Sequence, residues 1–150
     1  MENGVKTVVV LAGGYSSEHE ISLASGQTAF AAFEAAGYRT LFVKVERSGY
    51  SLDGKDVRIE DLGADYVFNS IHGSPGEDGH ISGVLEVLNI PHSTCATFQS
   101  ALTFNKAQCN AVLRDAGILV PKGELFNEFP GAPAFKHWQF PVFVKPNCAG

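Results

Sequence analysis

Val5-Lys6-Thr7-Val8-Val9-Val10-Leu11-Ala12-Gly13-Gly14 is the stretch that decides the fold. Val5 to Ala12 is an apolar run rich in β-branched residues, and it stops abruptly at paired glycines. A strand apolar on both faces is one covered on both sides, as in the parallel sheet of an α/β domain. The residues after it agree. From Ser17 to Ala36, Ile21, Ala24, Thr28, Phe33 and Ala36 recur at helical steps and Gly37 supplies a stop. The spacing predicts a helix with those residues on its buried face. Arg39 to Val45 reads as a second strand, completing a right-handed β-α-β unit.

Farther along, Asp53-Gly54 sits between two short runs in Tyr50 to Ile59 and predicts a hairpin at the sheet edge. Asp65 to Ile71 is another buried strand. It delivers His72-Gly73-Ser74-Pro75-Gly76-Glu77-Asp78-Gly79, a loop dense in glycine and acid. A helix follows from about His80 to Leu88, with Ile81, Leu85 and Leu88 on one face, and Asn89-Ile90-Pro91 ends it. The character changes around Ser93 to Phe104, which places a domain boundary near Phe104. Beyond it the pattern predicts a helix from Lys106 to Ala116 and a strand from about Val120 to Phe126. A short helix near Ala134 to Trp138 and a strand from Pro141 to Lys145 follow, and the last residues, from Pro146 to Gly150, form a loop.

With 150 residues, 45% hydrophobic and 18% charged, the chain can build a core without disulfides or a structural metal. Eleven Lys and Arg against 16 Asp and Glu leave a net charge of −5, which gives a nucleic-acid backbone nothing to bind. Glycine is enriched, at 16 residues, and clusters in loops after apolar runs. The N-terminus lacks the basic and apolar regions of a signal peptide, and no apolar run approaches the roughly 18 residues of a membrane span. The expected location is the cytoplasm. Cys95, Cys109 and Cys148 are odd in number and widely spaced, so they read as reduced thiols. His80, His92 and His137 show no metal-ligand spacing.

In an open α/β sheet, ligands collect beyond the carboxyl ends of the strands, which here means the loops after Ala12 and Ile71. The first loop is neither the Gly-x-Gly-x-x-Gly dinucleotide fingerprint nor a P-loop. Ser17 and Glu20 have capping-box spacing, which makes Glu20 structural, whereas Glu18 is left without such a duty. His19 reads as a solvated helix residue. His72, directly after an apolar strand, is placed to donate a hydrogen bond or handle a proton. Of Glu77 and Asp78, one is expected to be structural, with Asp78 or Gly79 the N-cap of the next helix. Lys106 opens a helix where a cation opposes the dipole, a conflict that a bound phosphate would resolve. Lys145 ends a strand just before a small-residue loop, placed to reach an anion.

Together these motifs, Gly13 to Leu23, His72 to Gly79, Ile90-Pro91, Asn105-Lys106 and Val142 to Pro146, resemble in order and spacing the N-terminal half of D-alanine–D-alanine ligases. The resemblance covers essentially the whole chain. It implies an N-terminal Rossmann-like, pre-ATP-grasp α/β domain over residues 1–104, followed by the start of an α+β ATP-grasp domain over 105–150. It implies an enzyme that uses ATP to phosphorylate one D-alanine and joins it to a second for peptidoglycan, with Mg2+ or Mn2+ held by later sequence. A homodimer is implied too. By matching positions, Glu18 would hold the ammonium of the first D-alanine, and His72 would stand near the acyl phosphate and carboxylate. Ile21 would line the methyl pocket, Glu77 belongs to the substrate-side acidic loop, and Lys106 and Lys145 would contact ATP phosphates. Asn105 stands where the family commonly has Asp. Ligases that use D-lactate or D-serine as acceptor, and a non-catalytic module that binds a small molecule, are the rival readings. The 150-residue chain by itself is expected to be inactive.

Overall fold

The computed structural model describes residues 5–128, 130, 131 and 135–149. The run that opens the sequence is a central strand, β1 (Thr7–Gly13), buried along its whole length. It pairs in parallel with β2 (Arg39–Glu46) on one side and with β5 (Tyr66–Asn69) on the other. The hairpin β3 (Gly49–Leu52) and β4 (Lys55–Val57) extends the sheet antiparallel from β2, giving the order β4-β3-β2-β1-β5. Its turn has Asp53 and Gly54 both at positive φ, the backbone that a two-residue hairpin of this sequence requires. Past β5, Pro91 to Ser93 continues the sheet through a parallel bridge between Val67 and His92. The sheet is therefore mixed, with a parallel centre and an antiparallel edge.

Two layers cover it. On one face, Val9, Leu11, Val43, Val45 and Val67 pack with Ile59 of a short 3-10 turn and with Ile81 and Leu85 of α2 (His80–Val87). The face of α2 read from the sequence is the one that is buried. On the other lies α1 (His19–Ala35), and of the expected face only Phe33 is turned inward. Ile21 is 57% exposed, and Ala24, Thr28 and Ala36 are exposed, while Ser22 and Gly26 are buried and Ala29, Phe30 and Phe33 half-buried. The reason is distance. A Cβ on Gly26 would sit 2.6 Å from the Ala12 Cβ and 3.0 Å from a Phe42 ring carbon, so the helix lies on the sheet at a contact only small residues permit. Hydrophobicity marked the wrong side because the tight side is made of serine and glycine.

Beyond the sheet, α3 (Thr97–Phe104), which the sequence did not disclose as a helix, packs against α2 and leads directly into α4 (Lys106–Asp115). The strands expected at Val120–Phe126 and Pro141–Lys145 do not form. Phe143 and Val144 are 99% and 83% exposed, and among the described residues no neighbouring strand or apolar layer receives them. Of the helix expected near Ala134–Trp138, Ala134 lies outside the described residues, and a single turn closes through Trp138 N–H to the Phe135 carbonyl. Among the described residues, no helix is long and apolar enough to cross a membrane, and no cysteine is in a disulfide.

Replacing Gly26 by Ala tests the tight contact. Helix propensity alone would stabilise by about 1 kcal/mol, whereas forcing a methyl into a filled contact costs about 1–3 kcal/mol. Urea denaturation is expected to show a net loss of stability, and a more stable variant would mean that α1 is free to lift from β1.

Candidate active site

The loops that follow β1 and β5 meet at the carboxyl edge of the sheet, where serine hydroxyls stitch them together. Ser22, fully buried on α1, accepts from the Gly13 N–H at 2.8 Å and donates to the Ser70 carbonyl at 2.8 Å, joining the ends of both strands. Ser16 donates to the His72 carbonyl at 2.7 Å and accepts from the Glu18 N–H at 3.1 Å. Tyr15 N–H reaches the Ser74 carbonyl at 2.8 Å. This approach demands Gly14, because a Cβ there would lie 2.6 Å from an Ile71 methyl and 2.9 Å from the Ser74 carbonyl oxygen.

The capping box expected from Ser17 and Glu20 is not formed. The residue at the N-cap is Glu18, with no side-chain cap bond, and the local hydroxyl turn comes from Ser16. Ser16 wins because its hydroxyl also serves the neighbouring loop, a partner the local spacing cannot reveal. His19 is likewise not a purely solvated residue: it is half-buried, with Nδ1 2.9 Å from the Gly14 carbonyl oxygen. Glu18 keeps its carboxylate uncommitted to capping. Its Oε2 lies 3.8 Å from where a Cβ on Gly73 would be, so it faces the His72 loop.

That loop is held from within by both of its acids. Glu77 Oε2 accepts from the Gly73 N–H at 2.9 Å. Asp78 accepts from the Ser74 hydroxyl and from the His80 backbone and ring nitrogens, the latter at 2.8 Å. Gly79, at φ 93°, is the residue at the N-cap of α2. Partial burial of Asp78 pushes its pKa up, but the hydrogen bonds from Ser74 and His80 outweigh this and hold it below the usual carboxylate range.

His72, Glu77 and Lys106 line one open cleft of about 880 Å³ between α1, the end of β5 and α3. Ser25, Asn69 and Ala149 line it too. Glu18, Ile21 and Lys145 are outside that lining, and Lys145 is exposed. Lys106 is oriented by its own chain. Asn105 caps α4 by accepting from the Gln108 N–H at 3.1 Å, and Asn147 accepts from the Ala107 N–H at 2.9 Å while donating to Asn105 at 2.9 Å. The Lys106 ammonium donates to the Ala149 carbonyl, so the loop after Lys145 folds onto the amino end of α4. Among the described residues, no group of three or more His, Cys, Asp or Glu side chains is placed to hold a metal ion. Ser16, Ser22 and Ser25 are the organising residues that sequence reasoning missed. The one available signal was the pairing of Ser22 with Ser25 three positions later, on one side of a helix.

The chain is matched in sequence and fold by known proteins. Its relatives are D-alanine–D-alanine ligases. One from Xanthobacter autotrophicus is 44% identical over 147 residues, 97% of this chain and 45% of the relative. Another from Flavobacterium johnsoniae is 35% identical over 163 residues, 97% of this chain and 50% of the relative. The fold matches the N-terminal domain of such ligases. D-alanyl-alanine synthetase A from Vibrio cholerae superposes with a TM-score of 0.76 at 29% identity, over 89% of this chain and 46% of that one. The ligase from Aeromonas hydrophila gives 0.72 at 28%, over 88% and 55%. No protein-family model matches the chain. The chain spans about half the length of the curated relatives it matches.

Asp78 gives the loop an acid dependence. A carboxylate with a depressed pKa contributes stability that is complete above its unfolded value of about 3.9 and is lost as pH falls through the lower folded value. Urea denaturation followed downward from about pH 5 is expected to lose part of its acid slope in Asp78→Asn. Glu86, whose carboxyl is held down by Thr97, and Glu60 contribute to the slope that remains. An unchanged slope would show that Asp78 ionises alike in folded and unfolded chains.

Proposed function

We propose that this chain is the first-substrate side of an ATP-dependent D-alanine–D-alanine ligase serving peptidoglycan synthesis. The observation that carries the reading is that Glu18, uncommitted to its helix cap, faces the His72 loop. Similarity to ligases across 97% of the chain supports it. Residues 1–104 would form the substrate-side domain and 105–150 the opening of the ATP-grasp domain.

In this reading a D-alanine ammonium pairs with the Glu18 carboxylate, and its methyl group rests against Ile21. His72 donates toward the substrate carboxylate. That carboxylate attacks the γ-phosphorus of ATP, the bond from phosphorus to the ADP oxygen breaks, and an acyl phosphate forms. The amine of a second D-alanine then attacks the carbonyl carbon, and phosphate leaves as the amide bond closes. Lys106 and Lys145 neutralise the phosphates, charge that must be compensated as the γ-phosphoryl group moves. Glu77 shapes the cleft by holding Gly73. Among the described residues no side-chain cluster makes a divalent-cation site, and no step here passes through one. A homodimer in the cytoplasm is the expected setting.

Two measurements test the proposal. The isolated 150-residue chain is expected to release no phosphate from ATP in the presence of D-alanine, and turnover by it would overturn the division of labour. In a ligase-active protein carrying this chain, Glu18→Gln removes a charged hydrogen bond and should lower kcat/KM for the first D-alanine roughly ten- to hundredfold. Unchanged kinetics would remove Glu18 from the site.

A further inference from the structure

His72 is gripped at two points by serines from two different segments. Its carbonyl accepts from Ser16 at 2.7 Å, and its ring Nε2 stands 3.3 Å from the Ser25 hydroxyl on α1. Ser25 and His72 both line the cleft. The Ser25 hydroxyl has no other hydrogen bond among the described residues, and His72 Nδ1 has none. Neighbouring Thr28, by contrast, spends its hydroxyl on the Ala24 carbonyl one turn back.

From this geometry we infer that Ser25 is a positioning residue that sets the tautomer of His72. A hydroxyl has one proton to give, and a neutral imidazole has one nitrogen able to accept it. Nε2 is the one hydrogen-bond partner of the Ser25 hydroxyl among the described residues, and in this assignment the hydroxyl donates to it. The imidazole proton then resides on Nδ1, the nitrogen left for a ligand. The cleft is thereby supplied with a fixed N–H donor suited to a carboxylate or phosphate oxygen, and not with a lone pair that would repel one. The serine three positions earlier reinforces the geometry. Ser22 ties α1 to the Ser70 carbonyl, two residues before His72, so the helix that presents Ser25 is locked to the strand end that presents the ring.

The role assigned to the donor rests on the ligase reading, but the tautomer does not. It can be read in the 150-residue chain by nitrogen-15 NMR of labelled histidine at about pH 8.5, above the ordinary histidine range near 6.5. The His72 signals are assigned by their loss in His72→Gln. Wild type is expected to carry the proton on Nδ1, Ser25→Ala to lose that preference, and Ser25→Thr, which keeps a hydroxyl, to restore it. Backbone amide shifts of Gly13 and Gly73 that match wild type certify that Ser25→Ala is folded. If it is not, Ser25→Cys, with a far weaker donor, takes its place and should show the same loss. Wild-type His72 protonated on Nε2, or a tautomer indifferent to Ser25 in a folded variant, would overturn the inference. Failure of the ligase reading would appear separately, in the Glu18→Gln kinetics.

Discussion

The hydroxyl of Ser22 is the fixed point of this structure. At full burial it takes a hydrogen from the end of β1 and gives one to the residue just past β5, so a single side chain registers both strand ends and the helix between them. Leaving those two backbone groups unpaired in the interior would cost about 1–3 kcal/mol each. That bond also sets how near the helix must come. For Ser22 to reach both strands, α1 has to rest on β1 at glycine distance, which is why Gly26 faces Ala12 while Phe30 and Phe33 pack at the margins of the contact, against Phe42 and Phe68. The loops then have little freedom. Gly14 can pass beneath Ser74 only without a side chain, and Ser16 and Tyr15 bind the second loop as it crosses.

What results is a crevice whose polar groups are divided between upkeep and availability. Asp78 and one oxygen of Glu77 are spent on the loop, and Asn105 and Asn147 are spent on joining the chain's last described residues to α4. Glu18 and one nitrogen of His72 are left over, and Lys106 lines the cleft with His72 from the side of α4. An anionic loop, a cation and a histidine donor around one open space suit a small zwitterion and a phosphate, the chemistry proposed for the ligase. Cooperation between them depends on backbone placement more than on charge, since the groups come from four segments far apart in the chain.

Much of this was legible before any coordinates. The Val8 to Ala12 run, the Asp53-Gly54 turn and the Ile81, Leu85 and Leu88 stripe each carry a local signal whose period or turn chemistry has one ordinary solution, and each took it. Glu18 stood out as a residue without a structural duty and His72 as a proton-handling candidate; His72 lines the cleft, and Glu18 faces its loop from outside that lining. The illegible parts share a cause. The buried face of α1 was mistaken because serine and glycine score as solvent-facing. The capping box failed because Ser16 answered to a carbonyl 56 residues away. The strands expected at Val120–Phe126 and Pro141–Lys145 have the composition of strands but, among the described residues, no neighbours to hydrogen-bond, and a strand exists only in a pair.

By itself, then, the amino-acid order determined the β-α-β unit, the two loops at its carboxyl edge and the candidate acid and histidine in them, because hydrophobic period and turn residues act over a few positions. Tertiary structure alone decided which side of α1 is buried, which serines hold the loops and which nitrogen of His72 is left for a ligand. Those choices are made by hydrogen bonds between segments about fifty residues apart, and no local pattern records where a hydroxyl will find its partner.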